Sequence, residues 1–554
     1  MKNHFIGKVL AVIAAFMLVG GSLAPRVAAD ERFFLFVPDS LVVSRSVYQG
    51  SDSTVTVGET LPPNCVAGSV PVPLLAGGTA NVKVTCGVAV ADGTYPTVFN
   101  NDGPDASFGV TSPIFLDDIT TDGFLIGTLP IPSNQIVTSF SSKSELALNR
   151  STDGKSITFA GYRGGPSFIT APNQLDVSNS NTPGVADPTN PVSSQYYRSV
   201  AEVDAFGRLQ ITEGNAYSGN NGRAAIKANS LYYMTGNDNN GGLSSSQLSG
   251  TQVGVNLVTS TGVELLVPGQ APPVPPNINK IGDFEITQVI DPSTGAPYAK
   301  ADKAGKDNNF RGLTVFKNTL YVTKGSGGNG INTVYQVGTP SVLPSGSNST
   351  LASVPITVLP GFPTTLASGV DSKGNPTPVA FPFGIWFANS TTLYVCDEGD
   401  GTLVSPAANG NVADAASLAT AGVQKWTLTS GVWHMDYVLQ DGLSIGVPYS
   451  VANYPAALNP ATGGCRNITG KVNRDGTVTL YAVTSTISPS GDQGADPNKL
   501  VRVVDVLKSR TLPKGSGHDN FLGHFVTIRS AKAGEVLRGV AFAPSLFGGD
   551  DDDR

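Results

Sequence analysis

The segment Asn318-Thr319-Leu320-Tyr321-Val322 decides the fold, because its pattern occurs five times along the chain. Each copy is a short apolar run around one aromatic residue, and these anchors are Phe159, Tyr232, Tyr321, Tyr394 and Tyr481. Successive anchors are 73, 89, 73 and 87 residues apart. A β-rich unit that returns at such spacing is typical of a radial or stacked repeat fold.

A second short apolar run precedes each copy, and a tight turn joins the two runs into a hairpin. The Asp-Gly pairs at 153–154 and 475–476 are strong turn signals, since both residue types accept positive φ. Further hairpins at 200–211 and 423–433 supply a third and a fourth strand in those units. Four antiparallel strands per unit are typical of the blade of a β-propeller.

Six runs qualify as the innermost strand of a blade, near residues 146, 224, 313, 385, 468 and 540. The chain ends soon after the sixth run, whereas residues 41–45 and 114–126 resemble the strands that this unit lacks. We therefore predict an all-β, six-bladed β-propeller whose last blade is closed by both termini, which removes an open sheet edge. Seven blades is the alternative, because residues 242–288 are long enough to contain further strands.

The start of the chain has the features of a signal peptide. Lys2 and Lys8 charge the first residues, an apolar run follows at 9–19, and Val27-Ala28-Ala29 is a small-residue cleavage motif. The apolar run is shorter than the roughly 20 residues that a membrane span needs. We therefore predict a signal peptide at residues 1–29 and a secreted mature protein, extracellular or at the cell surface, or periplasmic in a Gram-negative host.

The remaining chain is predicted to form one propeller domain at residues 30–549, followed by an acidic tail at 550–554. Its 64 glycines and 39 prolines indicate many turns between short strands. Long polar insertions are expected at about 50–94, 171–196, 268–280, 341–350 and 403–420. The net charge of -7 argues against nucleic acid as a partner, and we expect a monomer without a membrane span after cleavage.

The four cysteines suit an oxidising compartment. Cys65 and Cys86 lie in one insertion with no other cysteine nearby, so we predict a disulfide between them. Cys396 and Cys465 fall in neighbouring repeats, where either a second disulfide or two buried free thiols would be consistent with the pattern.

Three stretches carry a resemblance to a known family: Pro113-Ile114-Phe115-Leu116-Asp117, the run at 216–223, and the ending at 537–544. They resemble a family of secreted, propeller-like proteins of uncharacterised function, and the likeness covers most of the mature chain. The chain is also loosely similar to six-bladed lactonase and arylesterase propellers. These resemblances imply architecture and export, and they supply no catalytic residues.

Arginine recurs at the start of four predicted inner strands, as Arg223, Arg311, Arg466 and Arg538. If these side chains line the channel, they form a cationic ring for a carboxylate, a phosphate or a sulfated sugar. The alternative is that each guanidinium bonds carbonyl groups between blades and braces the ring. Because the same residue recurs in each blade, a structural requirement of the repeat explains the series better than an asymmetric ligand does.

Oxygen-bearing side chains lie near the same strands, and the candidate ligands for a hard cation are Asn221, Asn309, Asp397 and Glu398. A propeller channel can collect such ligands for calcium from several blades. The alternative is turn-forming asparagine and solvated carboxylates. We expect no cofactor, with calcium as the alternative. Among four glycosylation sequons, Asn348 is the favoured acceptor because it lies in a polar insertion.

These observations favour an exported, non-catalytic binding or scaffold protein whose unknown extracellular ligand is a glycan, a peptide or a protein. The first alternative is a calcium-dependent hydrolase such as a lactonase or esterase. The second is a structural protein of the cell surface or matrix. The sequence has no G-x-S-x-G motif, and its histidines have no metal-ligand or triad context, so no catalytic residue is assigned.

Overall fold

Six four-stranded antiparallel sheets form a six-bladed β-propeller in this computed structural model, as predicted. All six belong to the compact unit of residues 35–554. The structure describes residues 34–48, 58, 60–61, 66–74, 76–84, 86–88, 111–140, 142–164, 180–185, 195–237, 262–269, 279–282, 295–297, 308–326, 330–367, 380–401, 419–489, 494–513 and 522–547.

Each blade has four strands, which we letter A to D from the axis outward. Blade 1 comprises Asn149–Arg150, Ser156–Gly164, Tyr196–Asp204 and Leu209–Gly214, and blade 2 comprises Gly222–Ala228, Leu231–Gly236, Val263–Leu266 and Asn279–Lys280. Blade 3 comprises Phe310–Phe316, Thr319–Lys324, Thr333–Val337 and Ile356–Val358, and blade 4 comprises Pro382–Asn389, Thr392–Asp397, Gly422–Thr429 and Val432–Leu439. Blade 5 comprises Ala461–Val472, Thr477–Ile487, Lys499–Val506 and Val526–Ser530.

Blade 6 is built from both ends of the chain, which confirms the predicted closure. Its strand A is Glu535–Phe542, and its strands B, C and D are Leu41–Val47, Ile114–Ile119 and Leu125–Pro130. Strands A and B are antiparallel, with Leu41 opposite Phe542. Because the last strand of the domain pairs with its first strand, backbone hydrogen bonds close the ring.

Hydrophobic cores lie between neighbouring blades. Between blades 2 and 3, for example, Ile226 packs in one cluster with Phe310 and Leu320. Successive side chains of a strand point to opposite faces of its sheet, so each strand contributes to the cores on both sides of its blade. Burial of each large apolar side chain contributes about 1.5–3 kcal/mol, so the six interfaces together hold the ring.

Inner strands approach each other closely around the axis, and glycine makes this possible. A Cβ at Gly312 would lie 2.0 Å from the carbonyl oxygen of Phe383 in the next blade. At Gly539 it would lie 2.5 Å from the carbonyl oxygen of Leu146. Both glycines follow an arginine of the series, so the Arg-Gly pairs mark places where backbones meet and a guanidinium reaches into the axis.

The inner strand of blade 1 differs from the expected run near residue 146. Strand A is only Asn149–Arg150, and Leu146 has a φ of 62°, which interrupts an extended conformation. The carbonyl oxygen of Leu146 instead accepts a hydrogen bond from Ser44 Oγ at 2.7 Å. The residues before this short strand therefore leave the blade and enter the axis.

Outside the blades there is little regular structure in the described residues. Short strand pairs join Thr60–Leu61 to Gly87–Val88, Gly68–Pro73 to Thr79–Val84 and Thr111–Ser112 to Thr138–Ser139. A one-turn helix spans Asn348–Ala352, at the end of the insertion predicted at 341–350, and a 3-10 turn spans Ala456–Leu458. The signal peptide, the acidic tail and most residues of the other predicted insertions lie outside the described residues.

None of the helices in the described part of the chain has the length and apolar character required to cross a membrane.

Candidate functional site: a cationic cluster on the propeller axis

Residues 142–145, the sequence Ser-Lys-Ser-Glu, form what we call the axial segment. Arg538 of blade 6 donates hydrogen bonds to the backbone oxygens of Ser142 and Phe140. Arg311 of blade 3 donates to the hydroxyl of Ser144. Because side chains from opposite sides of the ring converge on it, this segment lies at the propeller axis.

The other blades reach the axial segment as well. Asn221, which directly precedes strand A of blade 2, donates to Ser142 Oγ at 3.0 Å. Tyr162 of blade 1 donates its hydroxyl to Glu145, which also accepts the hydroxyl of Thr138 at 2.7 Å. Burial, followed by the negative charge of Glu145, raises the pKa of Tyr162 well above its usual value. The tyrosine is therefore a neutral donor that fixes the carboxylate.

The centre of the cluster is the carboxylate of Glu398, which follows strand B of blade 4. It accepts a hydrogen bond from Lys143 Nζ at 3.0 Å and another from Arg466 Nε at 3.0 Å. Burial would raise the pKa of Glu398, but Lys143, Arg466 and Arg311 together hold it below its usual range. The carboxylate of Glu398 therefore interacts with three cations and remains ionised.

Lys143 differs from its neighbours in accessibility. Its side chain is 26% exposed, whereas Glu398 and Arg466 are 4% and 6% exposed. Burial lowers the pKa of Lys143, Glu398 opposes this effect, and the charges of Arg311 and Arg466 lower it further, so the net shift is downward. Lys143 is therefore the member of the cluster that a ligand can reach most readily.

The four arginines of the series occupy this region with different partners. Arg223 donates to Asn309 and, at 3.0 Å, to the carbonyl oxygen of Phe310 in the next blade. Arg311 also donates to Ser326, and Arg538 donates to Ser46 Oγ at 3.1 Å. The contacts of Arg223 with Phe310, and of Arg466 with Glu398, cross between blades, as bracing requires. Those of Arg311 with Ser326 and of Arg538 with Ser46 stay within blades 3 and 6. Together the contacts gather the four guanidinium groups into one buried region, as a ligand site requires.

Cationic side chains are concentrated in this region. The four arginines and Lys143 lie there together with the carboxylates of Glu145, Asp397 and Glu398. Arginine and lysine are the side chains that bind carboxylate, phosphate and sulfate groups in proteins. The cluster is therefore electrostatically suited to anions.

Asp397, one of the predicted calcium ligands, is held by three hydrogen bonds. Asp397 accepts the backbone N–H groups of Phe381 and Gly399, each at 2.9 Å, and the amide of Gln424 at 2.9 Å. Burial raises the pKa of Asp397 to about 6, although the hydrogen bonds from the backbone of Phe381 and Gly399 oppose the shift. Within the described ranges, no three His, Cys, Asp or Glu residues are grouped so that they could hold a metal ion.

A disulfide joins Cys396 in strand B of blade 4 to Cys465 in strand A of blade 5. Arg466 directly follows one cysteine, and Glu398 lies two residues after the other. A Cβ at Gly464 would lie 2.2 Å from the carbonyl oxygen of Asp397, so glycine is needed where the bridge draws the strands together. Cys86 is also disulfide-bonded, while Cys65, its predicted partner, lies outside the described residues.

Three further residues considered from the sequence lie away from the axis. The predicted glycosylation site, Asn348, is exposed at the start of the one-turn helix. His434 is exposed on strand D of blade 4, and His524 pairs with Asp441 at 2.8 Å on the surface. His518 lies outside the described residues.

A cavity of about 300 Å³ occupies the other end of the axis. All six blades contribute to its lining, with Leu148, Ile226, Val315, Phe387, Ile468 and Val540 as examples. Arg150, Asp153 and Lys317 lie at its edge, so its charges are mixed. The axis therefore has two unlike ends, and the four arginines and Lys143 lie at the end where the inner strands begin.

Sequence reasoning found the arginines but missed the axial segment. The pattern predicts an inner strand near residue 146, and that prediction does not place Lys143 and Glu145 on the axis. One signal was available: the polar sequence Ser-Ser-Lys-Ser-Glu at 141–145 lies directly before the apolar run, in the place where other blades have Asn221 or Asn309.

Comparison with known proteins adds little to this description. No protein-family model and no curated protein matches the chain. A Synechocystis apocarotenoid oxygenase mutant is 8% identical over 93% of this chain and 95% of its own, with a TM-score of 0.31. The ectodomain of the parainfluenza virus 5 hemagglutinin-neuraminidase is 8% identical over 98% of this chain and 95% of its own, with a TM-score of 0.30. Likeness at this level carries no argument about function.

Proposed function

We propose that this propeller is an exported, non-catalytic binding protein whose ligand carries carboxylate or sulfate groups and docks at the cationic end of the axis. The observation that carries the proposal is the gathering of Lys143 and four arginines around the axial segment. Carboxylates and sulfates match the donor geometry of arginine, which favours bidentate hydrogen bonds to planar or tetrahedral anions. An acidic glycan is the ligand that we favour, and an acidic peptide is the alternative carrier of the same groups.

The topology places the longest connections at the same end. In blades 1, 2, 4 and 6 the links from strand B to strand C span residues 165–195, 237–262, 398–421 and 48–113. Each leaves its blade where the inner strands begin, the end that also holds the four arginines. Long connections on a rigid scaffold are a common source of binding residues, so this face is suited to recognition.

The polar groups on the axis are engaged in a manner that suits binding better than turnover. Glu398 is shared by two hydrogen-bonded cations, Asp397 is held by backbone amides, and Tyr162 is bonded to Glu145. A calcium-dependent hydrolase would instead need several oxygen ligands open to a metal. Metal analysis of the purified protein separates the two functions, since stoichiometric calcium would favour the hydrolase.

The proposal is tested by isothermal titration with trigalacturonate, poly-glutamate and a neutral galactan oligomer. We expect binding of trigalacturonate that weakens with added salt, no binding of the neutral oligomer, and loss of affinity in Lys143→Met. The matched control is Lys155→Met, an exposed lysine in the A–B turn of blade 1 at the opposite end of the propeller. Equal affinity for neutral and acidic oligomers, or equal loss in both variants, would contradict the proposal. Binding of poly-glutamate alone would assign the anionic groups to a peptide.

A further inference from the structure

We propose that Lys143 captures carbonyl-bearing anions covalently, by forming a reversible Schiff base with a 2-oxo acid at the axis. This inference rests on the proposed function, because the same cationic cluster would orient the carboxylate of the ligand. It names the chemical class that the site takes. The 2-oxo acid is either free or the open-chain form of a sugar acid.

Position and exposure distinguish Lys143 from the two fully buried lysines of the described chain. Lys425 is fully enclosed, where it contacts Asp505 at 3.0 Å and the carbonyl oxygen of Val506 at 2.6 Å. Lys324 is equally buried, with its amine bonded to Asn332 Oδ1 at 2.9 Å. Lys143 is one-quarter exposed on the axial segment, so a small ligand can approach its amine.

The surroundings suit an amine nucleophile. Schiff-base lysines are activated when neighbouring cations or burial favour the neutral amine, and both conditions hold at Lys143. Arg311 and Arg466 supply the neighbouring charge. The same arginines attract the carboxylate of an incoming 2-oxo acid, which places its adjacent carbonyl carbon near the amine.

Glu398 supplies the proton transfers. Its Oε1 lies 3.0 Å from Lys143 Nζ, within the distance that a general base requires. Glu398 takes a proton from the ammonium, and Nζ then bonds to the carbonyl carbon. The nitrogen loses a second proton as the carbonyl oxygen gains one, and the C–O bond breaks when Glu398 returns its proton to the leaving hydroxyl. Amine and carbonyl thus give imine and water, with no change in oxidation state.

The experiment is reductive trapping of the full-length protein with cyanoborohydride and pyruvate, followed by intact mass and peptide mapping. We expect one reduced pyruvate adduct, on Lys143, formed several times faster than any adduct on Lys155. Lys143→Arg keeps the positive charge but cannot form the imine, so it should lose this adduct. Glu398→Gln should slow its formation. 2-Ketogluconate in place of pyruvate distinguishes a sugar acid from a free small acid as the better ligand.

The outcomes separate this inference from the proposed function. Adducts spread over surface lysines in proportion to exposure, or unchanged labelling in Lys143→Arg, would overturn it even if trigalacturonate still binds by titration. Equal trapping of acetone and pyruvate at Lys143 would also overturn it, because the carboxylate would then have no role. Trapping at Lys143 without any binding of acidic oligomers would support the covalent step and contradict the glycan proposal.

Discussion

The carboxylate of Glu398 lies 3.0 Å from Nε of Arg466, across the boundary between blades 4 and 5. The disulfide between Cys396 and Cys465 joins the same two strands one or two residues away. Covalent and ionic links therefore act at one place, and both fix the position of the carboxylate that contacts Lys143. The stability of the ring and the geometry of the cationic cluster are consequently coupled.

Glu398→Gln should destabilise the protein by about 3–5 kcal/mol, because removal of one partner leaves buried cations without their counter-charge. Chemical denaturation followed by tryptophan fluorescence measures this change. The matched control is Asp39→Asn, which breaks the exposed pair that Lys471 forms at 3.3 Å. The control should change stability by less than about 0.5 kcal/mol. Equal effects of the two substitutions would show that Glu398 is not a buried counter-charge.

Replacement of both Cys396 and Cys465 by alanine should cost roughly 4 kcal/mol in the chain-entropy model, since the bridge spans a sequence separation of 69 residues. Denaturation of the variant and the parent under non-reducing conditions gives the difference. A loss below about 1 kcal/mol would mean that the bridge adds little to a ring already closed at blade 6.

Thiol labelling of the unreduced parent tests the predicted Cys65–Cys86 bridge, because both cysteines should escape modification.

Arg538→Met should lower the melting temperature, because three protein oxygens lose a charged donor while much of the stem packing is kept. Hydrogen bonds to charged groups contribute about 1.5–3 kcal/mol each, so we expect a loss of at least about 3 kcal/mol. Arg208→Met is the control, since Arg208 is 75% exposed and lies 3.9 Å from Asp204. Unchanged stability combined with lost trigalacturonate binding would show that this arginine binds ligand and does not brace the ring.

The stability contributed by two carboxylates, Asp117 and Asp397, should respond to pH in opposite directions. Asp117 accepts a hydrogen bond from Arg45 at 2.8 Å, within blade 6, and one from Arg529 of blade 5 at 2.6 Å. Burial raises its pKa, but Arg45, Thr128 and Arg529 outweigh this effect and the pKa is lowered. Its stabilisation is therefore full above the unfolded-state pKa of about 3.9 and is lost as the pH falls through the folded-state pKa.

The stability that Asp397 contributes changes with pH in the opposite direction, because its pKa is raised to about 6. This stabilisation is full below the unfolded-state pKa of about 3.9 and is lost as the pH rises to about 6. Denaturation curves from pH 2 to 8, at roughly unit steps, should show that Asp117→Asn removes part of the loss of stability at acid pH. Asp397→Asn should remove a decline between about pH 4 and 6. Parallel profiles for both variants and the parent would contradict these assignments.

The propeller could be predicted from the sequence because local signals recur from blade to blade. The Asp-Gly turns and the aromatic anchors report local backbone requirements, which a single sequence displays directly. Closure by residues 41–47 followed from counting the strands missing after Arg538. The repeat therefore carried both the number of blades and the way in which the ring closes.

The axial segment could not be predicted in the same way, because it departs from the repeat. Its position depends on long-range contacts, such as those of Lys143 with Glu398 and of Ser144 with Arg311, which lie 255 and 167 residues apart. Leu146 adopts positive φ although leucine rarely does, so local propensity favoured a strand. Tertiary hydrogen bonds outweighed that propensity, and the residues that interrupt the repeat became the centre of the candidate site.

The most direct test of the account is a crystal structure of the protein grown with trigalacturonate. The account predicts a carboxylate of the ligand within hydrogen-bonding distance of Lys143 Nζ, at the end of the axis where the four arginines gather. A ligand seated instead in the cavity beside Arg150 and Lys317, or an axial segment with no ligand in crystals of a saturated complex, would contradict it.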